Sequence, residues 1–176
     1  HTGTFGLVSA FSFNGNKTVT CGGGGALITN DDAIGLRAKH VSTTAKVPHP
    51  YEFFHDEIGF NYRMPNLNAA LACAQLEQLE EILRGKRVLA ENYIEFFNDS
   101  NITFKQEPEG TTSNYWLNAI QLENLDARNA FLKATNESGV MSRPIWTLMS
   151  KLPMFKDCER DNLKNSIWLE ERIINL

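Results

Sequence analysis

The stretch SFNGNKTVTCGGGGALI, Ser12 to Ile28, sets a hydroxyl, a lysine and four consecutive glycines inside otherwise strand-like sequence. Lys17 stands five residues after Ser12 and five before Gly22, with Asn14, Gly15 and Asn16 beside it. Apolar runs flank the segment, Leu7 to Phe13 before it and Ala26 to Ile28 after it. Leu7 to Phe13 and Gly25 to Thr29 read as two buried strands joined by a lysine-bearing turn. A charge held there is unusual, because lysines are normally solvated. An amine withheld from water gives up its proton more readily, which is how Schiff-base lysines become nucleophilic. Glycines in turn let backbone N–H groups approach an anion closely. The plainer reading is a flexible hairpin turn with a charge at its tip, and the residues alone leave both open. Two phosphate-loop readings fail: there is no G-x-x-x-x-G-K-[ST], and no G-x-G-x-x-G opens a helix here.

Moving outward, 176 residues suit one domain, or one domain and part of another. Hydrophobic residues at 42% and charged ones at 22% are ordinary for a globular protein, so neither disorder nor a fibrous class is indicated. A net charge of −4 with scattered lysines and arginines gives no nucleic-acid or acidic-membrane footprint. No apolar run reaches the length of a membrane span. Cys21, Cys73 and Cys158 are odd in number and widely spaced, which argues against a disulfide framework and for a reduced, cytoplasmic setting. Cys73, among Ala69, Ala70, Ala72 and Ala74, reads as a small buried hydrophobe. His55-Asp56-Glu57 could suggest a metal, but adjacent side chains diverge, and no zinc spacing exists, so no metal is expected.

Further along, Asn30 or Asp31 caps a helix to about Val41. Ser42 to Asn61, with Pro48 and Pro50, is too long for an ordinary connection and reads as a lid or binding loop. Pro65 opens a long helix whose apolar positions run from Leu67 to Phe97. Unbroken to Asn98 it would span roughly 50 Å, with Gly85 as a possible bend. Its alanine-rich start suits either a plain core or close contact with another helix or subunit. Beyond Asp99, strands are expected at Ile102–Phe104, Tyr115–Leu122 and Val140–Ser142. Helices are expected at Asn124–Ser138, ended by Gly139, and at Asp161–Ile174. That order describes a small α/β or α+β lobe.

Three segments together resemble one family. SFNGNKTVTCGGGGALIT is similar to the S-F-x-x-x-K-x-x-x-x-G-x-G-G segment of the pyridoxal-phosphate-dependent nucleotide-sugar aminotransferases of the DegT/StrS type. EIGFNYRMPNLNAALACAQLEQL, Glu57 to Leu79, follows at the family's distance. GVMSRPIWTLMSKLPMF, Gly139 to Phe155, resembles the branch that makes precursors of legionaminic-acid-like sugars. The resemblance covers the latter part of the family's chain. It implies an α/β fold-type I transferase, aspartate-aminotransferase-like. Residues 1–85 would be the end of the large cofactor-binding domain and 86–176 the small C-terminal domain. The family's phosphate turn, its ring-stacking aromatic and its pyridine-pairing Asp would all lie before His1, so the chain is expected to be a fragment, inactive in isolation.

The same resemblance assigns roles. Lys17 would hold pyridoxal 5'-phosphate covalently and relay protons, and Ser12 would donate to its phosphate. Asn61, or Arg63 as second choice, would reach across a homodimer interface to the phosphate of the neighbouring subunit. Gly22 to Gly25 departs from the usual G-E-G-G, with Gly23 where the glutamate stands, which leaves that glutamate's usual partner open. Arg143 and Trp146 are candidates for a nucleotide-sugar groove, as diphosphate partner and stacking face. The implied reaction is glutamate-driven amination of a nucleotide-linked 4-keto-6-deoxy sugar, in bacterial surface-sugar synthesis. Sugar dehydratases on the same fold carry histidine at the lysine position, so Lys17 argues against that alternative. A regulatory or catalytically dead interaction module is the alternative from another class.

Overall fold

The computed structural model describes residues 1–176, which form two compact units, His1–Ile82 and Leu83–Leu176. In the first, β1 (Ser9–Ser12) pairs antiparallel with β2 (Gly25–Ile28), Ser9 facing Ile28 and Ser12 facing Gly25. A Cβ at Gly25 would stand 2.3 Å from the Phe11 carbonyl oxygen, so only glycine lets the strands close there. The ladder is as expected, but its burial is not. Val8, Phe11, Leu27 and Ile28 are all close to half exposed, because this two-stranded sheet has no layer packed on it.

Asp31 caps α1 (Asp32–Ser42), its carboxylate accepting from the Ile34 N–H at 3.0 Å. The segment from Ser42 to Asn61 is not wholly irregular: β3 (Lys46–Val47) and β4 (Phe54–His55) form a hairpin inside it. α2 (Asn66–Glu77) follows Pro65, and α3 (Leu79–Phe97) begins just beyond it. The expected continuous helix is therefore broken, at Gln78 (φ −102°, ψ 7°), while Gly85 lies within α3. Ala72 is the buried residue of α2. Cys73, a helical step of about 100° further round, is exposed and not the buried hydrophobe its neighbours suggested. Leu67 and Leu71, on the apolar face, are also exposed.

The second unit is built on a four-stranded antiparallel sheet of order β5-β6-β8-β7. Its strands are β5 (Thr103–Phe104), β6 (Ala119–Gln121), β7 (Arg143–Pro144) and β8 (Ile173–Asn175). α4 (Leu125–Glu137) is capped by Asn124, whose side chain accepts from Ala127 N–H, and Gly139 follows its end at φ +78°. Ala90, Phe97, Phe104, Tyr115, Ile120, Leu122 and Ile174 make the core. Ile120 and Ile174 are fully buried and face each other across β6 and β8; such burial stabilises by about 1.5–3 kcal/mol per side chain.

Three expectations are corrected in this unit. The strand foreseen from Tyr115 starts only at Ala119, because Tyr115 takes a left-handed turn conformation (φ +43°). The strand foreseen at Val140–Ser142 forms at Arg143–Pro144 instead. The last helix ends early: α5 covers Lys164–Glu170, and the chain then turns into β8, the strand that joins β6 to β7. No helix is long and apolar enough to cross a membrane.

Candidate active site

Lys17 lies in the connection between β1 and β2, and backbone bonds close that connection at its base. Phe13 N–H donates to Gly24 O at 2.9 Å, and Cys21 N–H donates to Phe13 O at 3.0 Å. Lys17 N–H donates to Asn14 O at 3.0 Å, forming the turn that carries the amine. Gly22 and Gly24 have φ of +81° and +125°, which glycine adopts without strain. Cys21 is buried, its Sγ 3.0 Å from Gly23 O. Asn68 of α2 pins the loop by donating to Cys21 O at 2.6 Å.

Lys17 is half-buried, and next to it the Thr18 hydroxyl is buried without a hydrogen-bond partner. Ser12 is exposed at the end of β1, its Oγ accepting from Asn14 N–H at 3.4 Å. Asn61 is exposed and bridges Thr43, while Tyr62 N–H donates to Ser42 O at 2.9 Å. Arg63 is exposed and borders two clefts. One, of about 700 Å³, is lined by Gly23, Gly24, Gly25, Ser42 and Asn68 as well. The other, of about 530 Å³, adds Lys46 and His49, so that two permanent cations, Arg63 and Lys46, border it. The fold thus brings Arg63 to the glycine run, whereas Lys17 and Ser12 line neither cleft.

Arg143 and Trp146 lie in the second unit and are both exposed. Arg143 Nη2 is 3.7 Å from Met141 Sδ, and the Trp146 ring lies 6.4 Å from that of Trp116, tilted by 30°. Trp116 was not foreseen; its only signal is an indole in a polar stretch. Glu170, at the end of α5, is buried, and its carboxylate accepts from the N–H of Leu148, two residues after Trp146, at 3.0 Å. Burial pushes its carboxyl up, but the Lys151 ammonium and the Leu148 N–H outweigh this and hold it below the usual range.

His55 does not join Asp56 and Glu57, since its Nδ1 turns to Thr44 O at 2.7 Å. His40 does, with ligating atoms of the three residues within 4.8 Å of one another. Arg37 already forks onto Glu57, however, and holds its carboxyl below the usual range.

The sequence pattern of the DegT/DnrJ/EryC1/StrS aminotransferase family matches residues 1–176. The GDP-perosamine synthase of Vibrio cholerae is 37% identical over 159 residues, 88% of this chain and 42% of that protein. Helicobacter pylori PseC, an aminotransferase involved in the biosynthesis of pseudoaminic acid, superposes with a TM-score of 0.91 at 22% identity, covering 99% of this chain and 48% of its own. A Streptococcus pneumoniae protein described as a sugar aminotransferase, solved in its PLP form, gives 0.87 at 20% identity, covering 99% and 47%. The chain thus spans less than half the length of each of these relatives.

Proposed function

Since the chain belongs to the DegT/DnrJ/EryC1/StrS aminotransferase family, we propose that the protein carrying it aminates a nucleotide-linked keto sugar, with Lys17 as the residue that holds pyridoxal phosphate. The family uses this cofactor. The observation that carries the reading is the half-buried residue Lys17 on a loop closed by backbone bonds, beside the partnerless Thr18 hydroxyl. A primary amine and hydroxyls on this loop, joined by an amide and a guanidinium supplied from the other subunit, would make a donor set suited to a phosphate-bearing aldehyde. When bound, that cofactor supplies an electron sink for the carbon that loses a proton.

The chain's own residues then have separate tasks. The Lys17 amine anchors the ring and, once released, takes and returns a proton at the substrate carbon, which arginine could not do because it stays protonated. The Ser12 hydroxyl donates to the phosphate. Asn61, with Arg63 as second choice, reaches the phosphate held by the other subunit of a homodimer. Arg143 and Trp146 contact the nucleotide sugar through its diphosphate and a planar face. Residues 1–85 close the large domain and 86–176 form the small one. Glutamate is the amino donor, and the acceptor is a 4-keto-6-deoxy sugar, of the legionaminic-acid-precursor type. This activity is that of the whole protein, of which the relatives' lengths make these residues a part.

Lys17→Ala is expected to leave a folded protein with no turnover and no borohydride-reducible cofactor absorbance. Retained transaminase activity would remove the reading. For the shared site, dimers mixed from Lys17→Ala and Asn61→Ala subunits should regain activity above either parent; no gain beyond the statistical expectation counts against cross-subunit reach.

A further inference from the structure

α1 and the hairpin after it meet through contacts that the chemistry above does not use. Arg37 and His40 are three residues apart on α1, hence on one face. Opposite stand Asp56 and Glu57, directly after β4. Both Arg37 Nη atoms donate to Glu57, Nη2 reaching Oε2 at 2.7 Å. His40 Nε2 lies 2.7 Å from Asp56 Oδ1 and 3.4 Å from Glu57 Oε1.

Between these partners the backbone does something costly. Thr44 and Ala45 have φ of +69° and +49°, consecutive left-handed residues of which neither is glycine. Ala45 is fully buried, and the kink is packed on Gly59, where a Cβ would stand 2.4 Å from both Ala45 N and Thr44 C. From the kink a ladder runs to the candidate site. Thr44 N–H donates to Phe60 O at 2.9 Å, Phe60 N–H to Val41 O at 2.7 Å and Tyr62 N–H to Ser42 O at 2.9 Å, with Thr43 bridging Asn61. Strain of this kind persists only where the surroundings over-determine it.

We propose that Arg37, His40, Asp56 and Glu57 form a clamp that holds the Thr44–Ala45 kink closed on Gly59 and so fixes the position from which Asn61 and Arg63 reach the cofactor phosphate. The four are positioning residues, and the inference rests on the roles proposed above for Asn61 and Arg63. Exposed ion pairs usually contribute little. This set differs because one pair is forked on both oxygens and both pairs anchor a buried, strained turn rather than a free helix face.

The test uses protein from the complete reading frame, loaded with pyridoxal phosphate, as Glu57→Gln, Arg37→Gln and each combined with Ala45→Gly. The single variants are expected to raise the cofactor Kd and the sugar KM about tenfold, with a smaller change in kcat. They should also speed amide exchange at Phe60 and Tyr62. Ala45→Gly removes the cost of the left-handed φ and is expected to restore most of the lost affinity. Unchanged Kd, KM and exchange in both single variants overturn the clamp, as does a loss that Ala45→Gly leaves untouched. If Lys17→Ala keeps turnover while exchange at Phe60 and Tyr62 still rises, the functional reading fails and the clamp stands. If Lys17→Ala is inactive and the clamp variants match the parent, only the clamp fails.

Discussion

Of its apolar side chains, His1–Ile82 buries Cys21, Ala45 and Ala72, while Leu83–Leu176 buries Ala90, Phe97, Phe104, Tyr115, Ile120, Leu122, Ile173 and Ile174. The first unit also leaves Phe5, Leu7, Ile58 and Leu67 more than three-quarters exposed. Yet the first holds the lysine, the glycine run and Arg63. Glycines in the first unit give backbone close to backbone, with Gly25 against Phe11 and Gly59 against Ala45. In the second unit large side chains fill the space between α3, α4 and the sheet. One unit is held by main-chain geometry, the other by apolar volume, and the two should respond to different perturbations.

The largest separation is expected from truncating apolar side chains. Ile174→Ala should destabilise the second unit by about 2–5 kcal/mol, the range for a fully buried aliphatic. Leu67→Ala, at 86% exposed, should stay within about 0.5 kcal/mol. Denaturant unfolding followed by a probe in each unit would show this, and equal effects would dissolve the contrast. Next comes Gly25→Ala, which places a methyl 2.3 Å from a carbonyl oxygen and should cost about 1–3 kcal/mol as the strands part. Faster amide exchange in β1 and β2 would report it; unchanged exchange would mean the first unit does not depend on close backbone approach.

The smallest expected effect is electrostatic. In the second unit Arg87 forks onto Glu107, and Ser113 N–H also donates to that carboxylate. The Arg87 hydrogen bond, with the Ser113 N–H behind it, holds the Glu107 carboxyl below its ordinary value. A depressed carboxyl adds stability above its unfolded pKa, near 4.3, and that share is lost as pH falls through the lower folded value. Wild-type Tm should therefore drop more steeply than that of Glu107→Gln as pH falls below about 4.3. Parallel curves would show the pair to be inert, as many exposed pairs are.

Local chemistry was readable from the chain and distant pairing was not. Asp31 and Asn124 announce α1 and α4 because a cap acts within three residues. The lysine turn between two short strands was equally visible, since its glycines are needed where they stand. By contrast, Ile173 to Asn175 follow helix-compatible residues and become a strand only because β6 and β7 offer a slot between them. Nothing local singles out Gln78 over Gly85 as the helix break. At the candidate site, Ser12 and Lys17 could be read from one segment, but the approach of Arg63 to Gly23–Gly25 spans some forty residues. The Arg37–Glu57 fork likewise joins residues twenty apart, and no periodicity encodes it.

The strand order β5-β6-β8-β7 has a consequence for synthesis. β7 touches no strand of the sheet except β8, so a nascent chain that has emerged only through Pro144 holds the β5-β6 pair and a loose third strand. Ile120, later opposite Ile174, stays uncovered on that side until residues 173–175 clear the ribosome. During that interval an apolar strand edge waits for a partner, which leaves this lobe open to mispairing until its last strand is made.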